Sequence, residues 1–96
     1  YKHIVFNNGA HDSVGGQPTV GHLIDIPAIA KACGYQTVLQ AHSKDEICTQ
    51  AQVLKESPGP ALLEIKIKKG ARKDLGRPQT TPVQNKEAFM QFLAKL

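Results

Sequence analysis

Apolar and polar positions alternate in blocks along this chain, and the blocks predict its elements. "HIVFNN", residues 3 to 8, is a short apolar, β-leaning run closed by turn-forming asparagines, which predicts a buried strand. A long polar, glycine-rich stretch follows, to about Gly21. "DIPAIAKACG" then has the marks of a helix: Asp25 as N-cap, Pro27 in the first turn and Gly34 just past the end. Its apolar residues Ile26, Ile29, Ala30 and Cys33 fall on one helical face. "YQTVLQA" predicts a second strand. "SKDEICTQAQVLKES" predicts a second helix, with Ser43 and Glu46 as a capping box and Ile47, Ala51 and Leu54 as its apolar stripe. "SPGP" stops it.

"ALLEIKIKK" predicts a third strand that becomes solvated on one face toward its end. An irregular basic loop, "GARKDLGRPQTTP", separates it from a terminal helix, "NKEAFMQFLAKL". For that helix the pattern predicts Asn85 as N-cap and Phe89, Phe92, Leu93 and Leu96 as the buried face. The order β-α-β-α-β-loop-α argues for an α/β fold, a parallel sheet with flanking helices. There is no internal repeat.

Composition narrows the function classes. With 96 residues and 41 % hydrophobic content the chain makes one small globular unit. No apolar run approaches the roughly 20 residues of a membrane span, so no membrane partner is expected. Tyr1 opens the chain in place of Met and leads directly into a strand, which reads as an internal start within a longer protein. The formal charge of +4 comes largely from "EIKIKKGARKDLGR". Such a cluster serves a solvated face, a nucleic acid or an anionic small substrate. Trp is absent and aromatics are 5 %, a poor supply of base-stacking platforms, so nucleic acid is not the expected partner. Cys33 and Cys48 lack metal or disulfide spacing; they read as packing residues in a reducing, cytoplasmic protein.

The candidate chemistry lies in the loops. Ligands of parallel α/β sheets bind at the carboxyl ends of the strands. Two loops of unusual composition leave such ends: Asn7–Gly21 after the first strand and Gly70–Thr81 after the third. Asparagine amide oxygens are hard ligands suited to Mg²⁺ or Ca²⁺, and glycines let backbone N–H groups approach phosphate oxygens. Composition alone leaves two readings open, a plain Asn-Gly turn or an anion and metal site. His11 and Asp12, adjacent in an extended loop, point apart and do not form a mutual dyad. His3, His22 and His42 show no ligand spacing and read as structural or surface residues. Ser13 lacks a nucleophile-elbow context, and "GGQPTVG" is neither a P-loop nor a dinucleotide fingerprint. No residue is singled out as catalytic. Lys69, Arg72, Lys73 and Arg77 are the basic loop's candidates for anion recognition.

A strand ending in "NN", then Gly, a glycine-rich loop and "DIPAIAKACGYQT", resembles the second half of the diphosphate-binding domain of thiamine-diphosphate enzymes. More narrowly, "NNGAHDSVGGQPT" with "KKGARKDLGRPQTTPVQNKEAFMQFL" resembles the phosphonopyruvate decarboxylases, with the sulfopyruvate decarboxylases as near relatives. The resemblance covers nearly all 96 residues. It implies that residues 1–96 are the C-terminal part of that domain. It also implies thiamine diphosphate and Mg²⁺ as cofactors, Asn8 and the Ala10 carbonyl as metal ligands, and Asn8, Gly9, Ala10, His11, Asp12 and Ser13 around the cofactor. Ser13, Gln17, Arg72 and Arg77 are the expected contacts to an anionic 2-oxo acid.

The family's "GDG" motif, which supplies a further metal ligand, is not in this sequence and is expected upstream. So is the pyrimidine-binding domain, with the glutamate that activates the cofactor. The parent protein is therefore expected to be an oligomeric lyase, a homodimer or larger. The 96 residues alone are expected to be inactive; a non-catalytic binding or assembly fragment is the alternative for them.

Overall fold

The computed structural model describes all residues, Tyr1–Leu96. Its main elements are β1 (Lys2–Asn7), α1 (Ile26–Ala32), β4 (Thr37–Ala41), α2 (Lys44–Glu56), β5 (Ala61–Lys66) and α3 (Pro82–Leu93). Two short strands, β2 (Ala10–His11) and β3 (Gln17–Pro18), pair antiparallel within the first long loop. The α/β order read from the sequence is thus borne out, and the first loop carries a small hairpin of its own.

The main sheet is fully parallel, in the order β1-β5-β4. The last strand therefore inserts between the first two, and β5 becomes the centre. Its first five residues, Ala61–Ile65, are all buried, and Leu63 is fully so. Ala41, Leu54, Ala61, Leu63 and Ile65 form the core, with Leu39 and Ile47 packed against it. Truncating a side chain such as Leu63 costs about 2–5 kcal/mol in sites of this kind.

The caps are specific. Asp25 accepts from the Ala28 N–H at 2.9 Å and starts α1. Ser43 and Glu46 complete the expected capping box of α2. Gly34 ends α1 with a φ of 89°, a left-handed value that favours glycine.

Four expectations are corrected. The terminal helix starts at Pro82, four positions after which Lys86 already lies inside it; Thr81, not Asn85, is its N-cap, in a capping box with Gln84. A Thr followed by Pro at the first helical position out-competes a later Asn. The apolar face of α3 is not buried: Phe89, Phe92, Leu93 and Leu96 are all exposed, because no other element of the chain lies over them. The same holds for Ile29 and Cys33 on α1 and for Ala51 on α2. Cys33 and Cys48 are free and exposed, not packing residues. Finally, β1 is not a buried strand: Ile4 and Phe6 are exposed on one face, His3 and Val5 are half-buried on the other, and only Asn7 is buried. No helix is long and apolar enough to cross a membrane.

Candidate functional site

Because β5 pairs with β1, the loops leaving their carboxyl ends become neighbours, although Asn7 and Lys66 lie 59 positions apart in sequence. The first of these loops is held by its own polar side chains. Asn7 is buried and closes an Asx turn: its Oδ1 accepts from the Gly9 N–H at 3.1 Å. Its Nδ2 donates to the Gly21 carbonyl at 2.6 Å and to Glu64 Oε1 at 2.7 Å. One amide thus ties both ends of the loop to the central strand. Gly9 has a φ of 64°, and a Cβ there would lie 2.7 Å from His22 Nδ1. Glycine is required at that position by conformation and by space.

Asn8 is half-buried, and its amide is oriented from both ends. Its Oδ1 accepts from the Ala10 N–H at 3.0 Å, and its Nδ2 donates to Asp12 Oδ2 at 2.9 Å. Asp12 Oδ2 also accepts from the Gly70 N–H at 2.9 Å, so this one carboxylate bridges the two loops. A second bridge runs from Lys69 Nζ to the Gly16 carbonyl at 3.0 Å. Between the loops lies an open cleft of about 570 Å³, whose lining includes Asn8, Gly9, Thr19, His22, Lys68 and Lys69. Pro18, Leu23 and Ile67 also line it, so the cleft surface is mainly apolar, with Asn8, Thr19, His22, Lys68 and Lys69 as its polar members.

The structure brings the expected site residues together unevenly. Asn8 and Gly9 line the cleft. Ala10 and His11 form β2, opposite Pro18 and Gln17. His11 is exposed, and Asp12 bonds to Asn8 and Gly70, not to His11. Ser13 is exposed in a 3-10 turn, Asp12–Val14. Arg72 lies in an exposed ion pair with Asp74 at 3.4 Å, and Arg77 is exposed further along the same loop. Neither arginine lines the cleft; the neighbouring Lys68 and Lys69 do.

Sequence reasoning passed over three contributors. Lys68 reads as the end of an alternating strand, and His22 as a surface residue. Glu64 was hidden in an apolar run, yet an acidic residue in the middle of "ALLEI" is itself a signal. It is 1 % exposed. Burial pushes its carboxyl up, but amide donors from Asn7 and Gln40, with Lys66 and His42 nearby, outweigh that and hold it below the usual carboxylate range.

No cluster of three or more His, Cys, Asp or Glu side chains that could hold a metal by themselves is present. The oxygens at the turn, a side-chain amide and backbone carbonyls, suit a hard cation that takes its other ligands elsewhere.

The chain is 38 % identical over 91 residues, 95 % of its length, to a phosphonopyruvate decarboxylase of Streptomyces viridochromogenes, and the match spans 23 % of that protein. It is also 38 % identical over 90 residues to a phosphonopyruvate decarboxylase of Streptomyces hygroscopicus, spanning 94 % of this chain and 22 % of the relative. The chain therefore spans just under a quarter of the length of these curated relatives. No family model and no solved structure matches it. The resemblance read from the "NNGAHDS" and "DLGRP" stretches is borne out by both relatives.

Proposed function

We propose that this chain is the C-terminal part of the diphosphate-binding domain of a thiamine-diphosphate- and Mg²⁺-dependent decarboxylase. The whole protein then converts phosphonopyruvate to phosphonoacetaldehyde and CO₂. The observation that carries this reading is the likeness to two phosphonopyruvate decarboxylases along nearly the entire chain. The donor set is compatible with it: the Asn8 amide oxygen, on a residue that lines the cleft, and the Ala10 carbonyl two positions on are the groups that would hold Mg²⁺.

When bound, thiamine diphosphate supplies the electron sink that loss of CO₂ from a 2-oxo acid requires. The residues of this chain bind and orient. Asp12 and the Ala10 N–H fix the direction of the Asn8 amide. Gly9 keeps side-chain atoms out of the space next to the turn. Lys68 and Lys69 give the cleft the positive potential that draws a dianionic substrate and diphosphate oxygens. Arg72 and Arg77 add to that potential from the rim, and Ser13 and Gln17 offer a hydroxyl and an amide on the adjoining hairpin. A further metal ligand, the cofactor-activating glutamate and a second subunit belong to the parts of the protein beyond these 96 residues.

The full-length protein, assayed for CO₂ release, tests the reading. Turnover is expected with phosphonopyruvate, faster than with sulfopyruvate, and lost when either thiamine diphosphate or Mg²⁺ is withdrawn. Turnover indifferent to both cofactors, or none with either acid, overturns it.

A further inference from the structure

Beneath the Asn8–Gly9–Ala10 turn lies a buried carboxylate that the proposed chemistry does not touch. Glu64 occupies the central strand between Leu63 and Ile65, and both of these neighbours are buried apolar residues. A buried charge is weak evidence for stability by itself, so packing of the sheet does not explain a glutamate here. Its contacts point to another reason. Oε2 accepts from Gln40 Nε2 at 2.9 Å on one neighbouring strand, and Oε1 accepts from Asn7 Nδ2 at 2.7 Å on the other.

The second contact decides how the Asn7 amide faces. Both of its hydrogens are engaged, one by Glu64 and one by the Gly21 carbonyl, so its oxygen must point to the Gly9 N–H. With Glu64 gone, the Gly21 carbonyl alone is left to hold the amide hydrogens, and a flipped amide would set an NH₂ against that N–H and open the Asx turn. Gly9 is the peptide between Asn8 and Ala10, so its setting orients both.

We propose that Glu64 is a positioning residue that, acting through Asn7, holds the Asn8–Gly9–Ala10 turn in its ligand-binding shape. The inference rests on the reading above for what the turn binds, but the link from Glu64 to Gly9 stands by itself. Outer partners that orient ligands commonly cost 10–100-fold in affinity when lost.

The test uses Glu64→Leu and Glu64→Gln in the full-length protein. Leucine cuts the link and keeps the core apolar; glutamine keeps an oxygen that can accept from Asn7, with the Gln40 amide free to turn and match it. Hydrogen exchange at the Gly9 amide is measured without ligand, and Mg²⁺–thiamine diphosphate affinity by calorimetry. Glu64→Leu is expected to speed Gly9 exchange and weaken affinity at least about tenfold, and Glu64→Gln to restore most of both. A folded leucine variant with unchanged Gly9 exchange, or a glutamine variant no better than leucine, overturns the proposal. If Glu64→Leu does not fold, Asn7→Leu cuts the same link while Gln40 still holds Glu64, and unchanged affinity there overturns it equally. If the unaltered protein binds no Mg²⁺–thiamine diphosphate, the functional reading fails, while Gly9 exchange still decides whether Glu64 sets the turn.

Discussion

The two loops that meet at the cleft are built in opposite ways. The loop after β1 is tied at nearly every turn: Asn7, Asn8, Asp12 and Thr19 each bond to backbone within it or across to its neighbour. The loop after β5 is tied at its root, through Lys69 and Gly70; beyond that, Arg72 pairs with Asp74 within the loop and Thr80 donates to Asn85 on the following helix. Every residue from Ile67 to Thr81 is exposed. The first loop is thus preorganised before any ligand arrives, the condition for binding a metal at fixed geometry. The second offers charge on a segment that is exposed throughout.

The largest effect should come from breaking the bridge between them. Asp12→Ala removes the acceptor shared by Asn8 Nδ2 and the Gly70 N–H, and should weaken Mg²⁺–thiamine diphosphate binding by about 10–100-fold in calorimetry. Glycine substitutions sharpen the contrast. Gly9 and Gly70 both have left-handed φ, 64° and 97°, but only at Gly9 does a Cβ meet another side chain, the His22 ring. By denaturant titration Gly70→Ala should cost about 1 kcal/mol, and Gly9→Ala roughly 2, part of which His22→Ala recovers.

The pH dependence separates the regions next. Glu64, under the first loop, folds with a lowered pKa, so its contribution is complete above the ordinary glutamate range. It is lost as pH falls through that range to the lowered folded value. Acid titration of stability should show this in the unaltered protein and lose it in Glu64→Gln. The smallest effects belong to the rim: Arg72→Gln and Arg77→Gln should leave stability unchanged and raise KM for the 2-oxo acid only a few-fold, since both are exposed. Lys69→Gln, which faces the cleft, should raise it more.

Much of this molecule is legible in its sequence, and what is not has definable causes. Caps and periodicity report local energetics, so Asp25, the Ser43–Glu46 box and the β/α alternation emerge directly. Sheet order is non-local: nothing in the chain says that β5 enters between β1 and β4, and that insertion is what brings Lys68 and Lys69 to Asn8. An apolar stripe does not by itself ensure burial: Phe89 and Phe92 on α3 and Phe6 on β1 remain exposed. At the site, residue types were readable and roles were not. Asn8 stood out because two asparagines precede a glycine, whereas Asn7 and Glu64 act through a contact 57 positions apart.

The central claim is that the Asn8–Gly9–Ala10 turn holds Mg²⁺ with a diphosphate. Calorimetry of Mg²⁺–thiamine diphosphate binding to the full-length Asn8→Ala variant tests it most directly. Loss of Mg²⁺-dependent binding in a protein that keeps its melting temperature is the predicted result; binding as tight as in the unaltered protein would contradict the account.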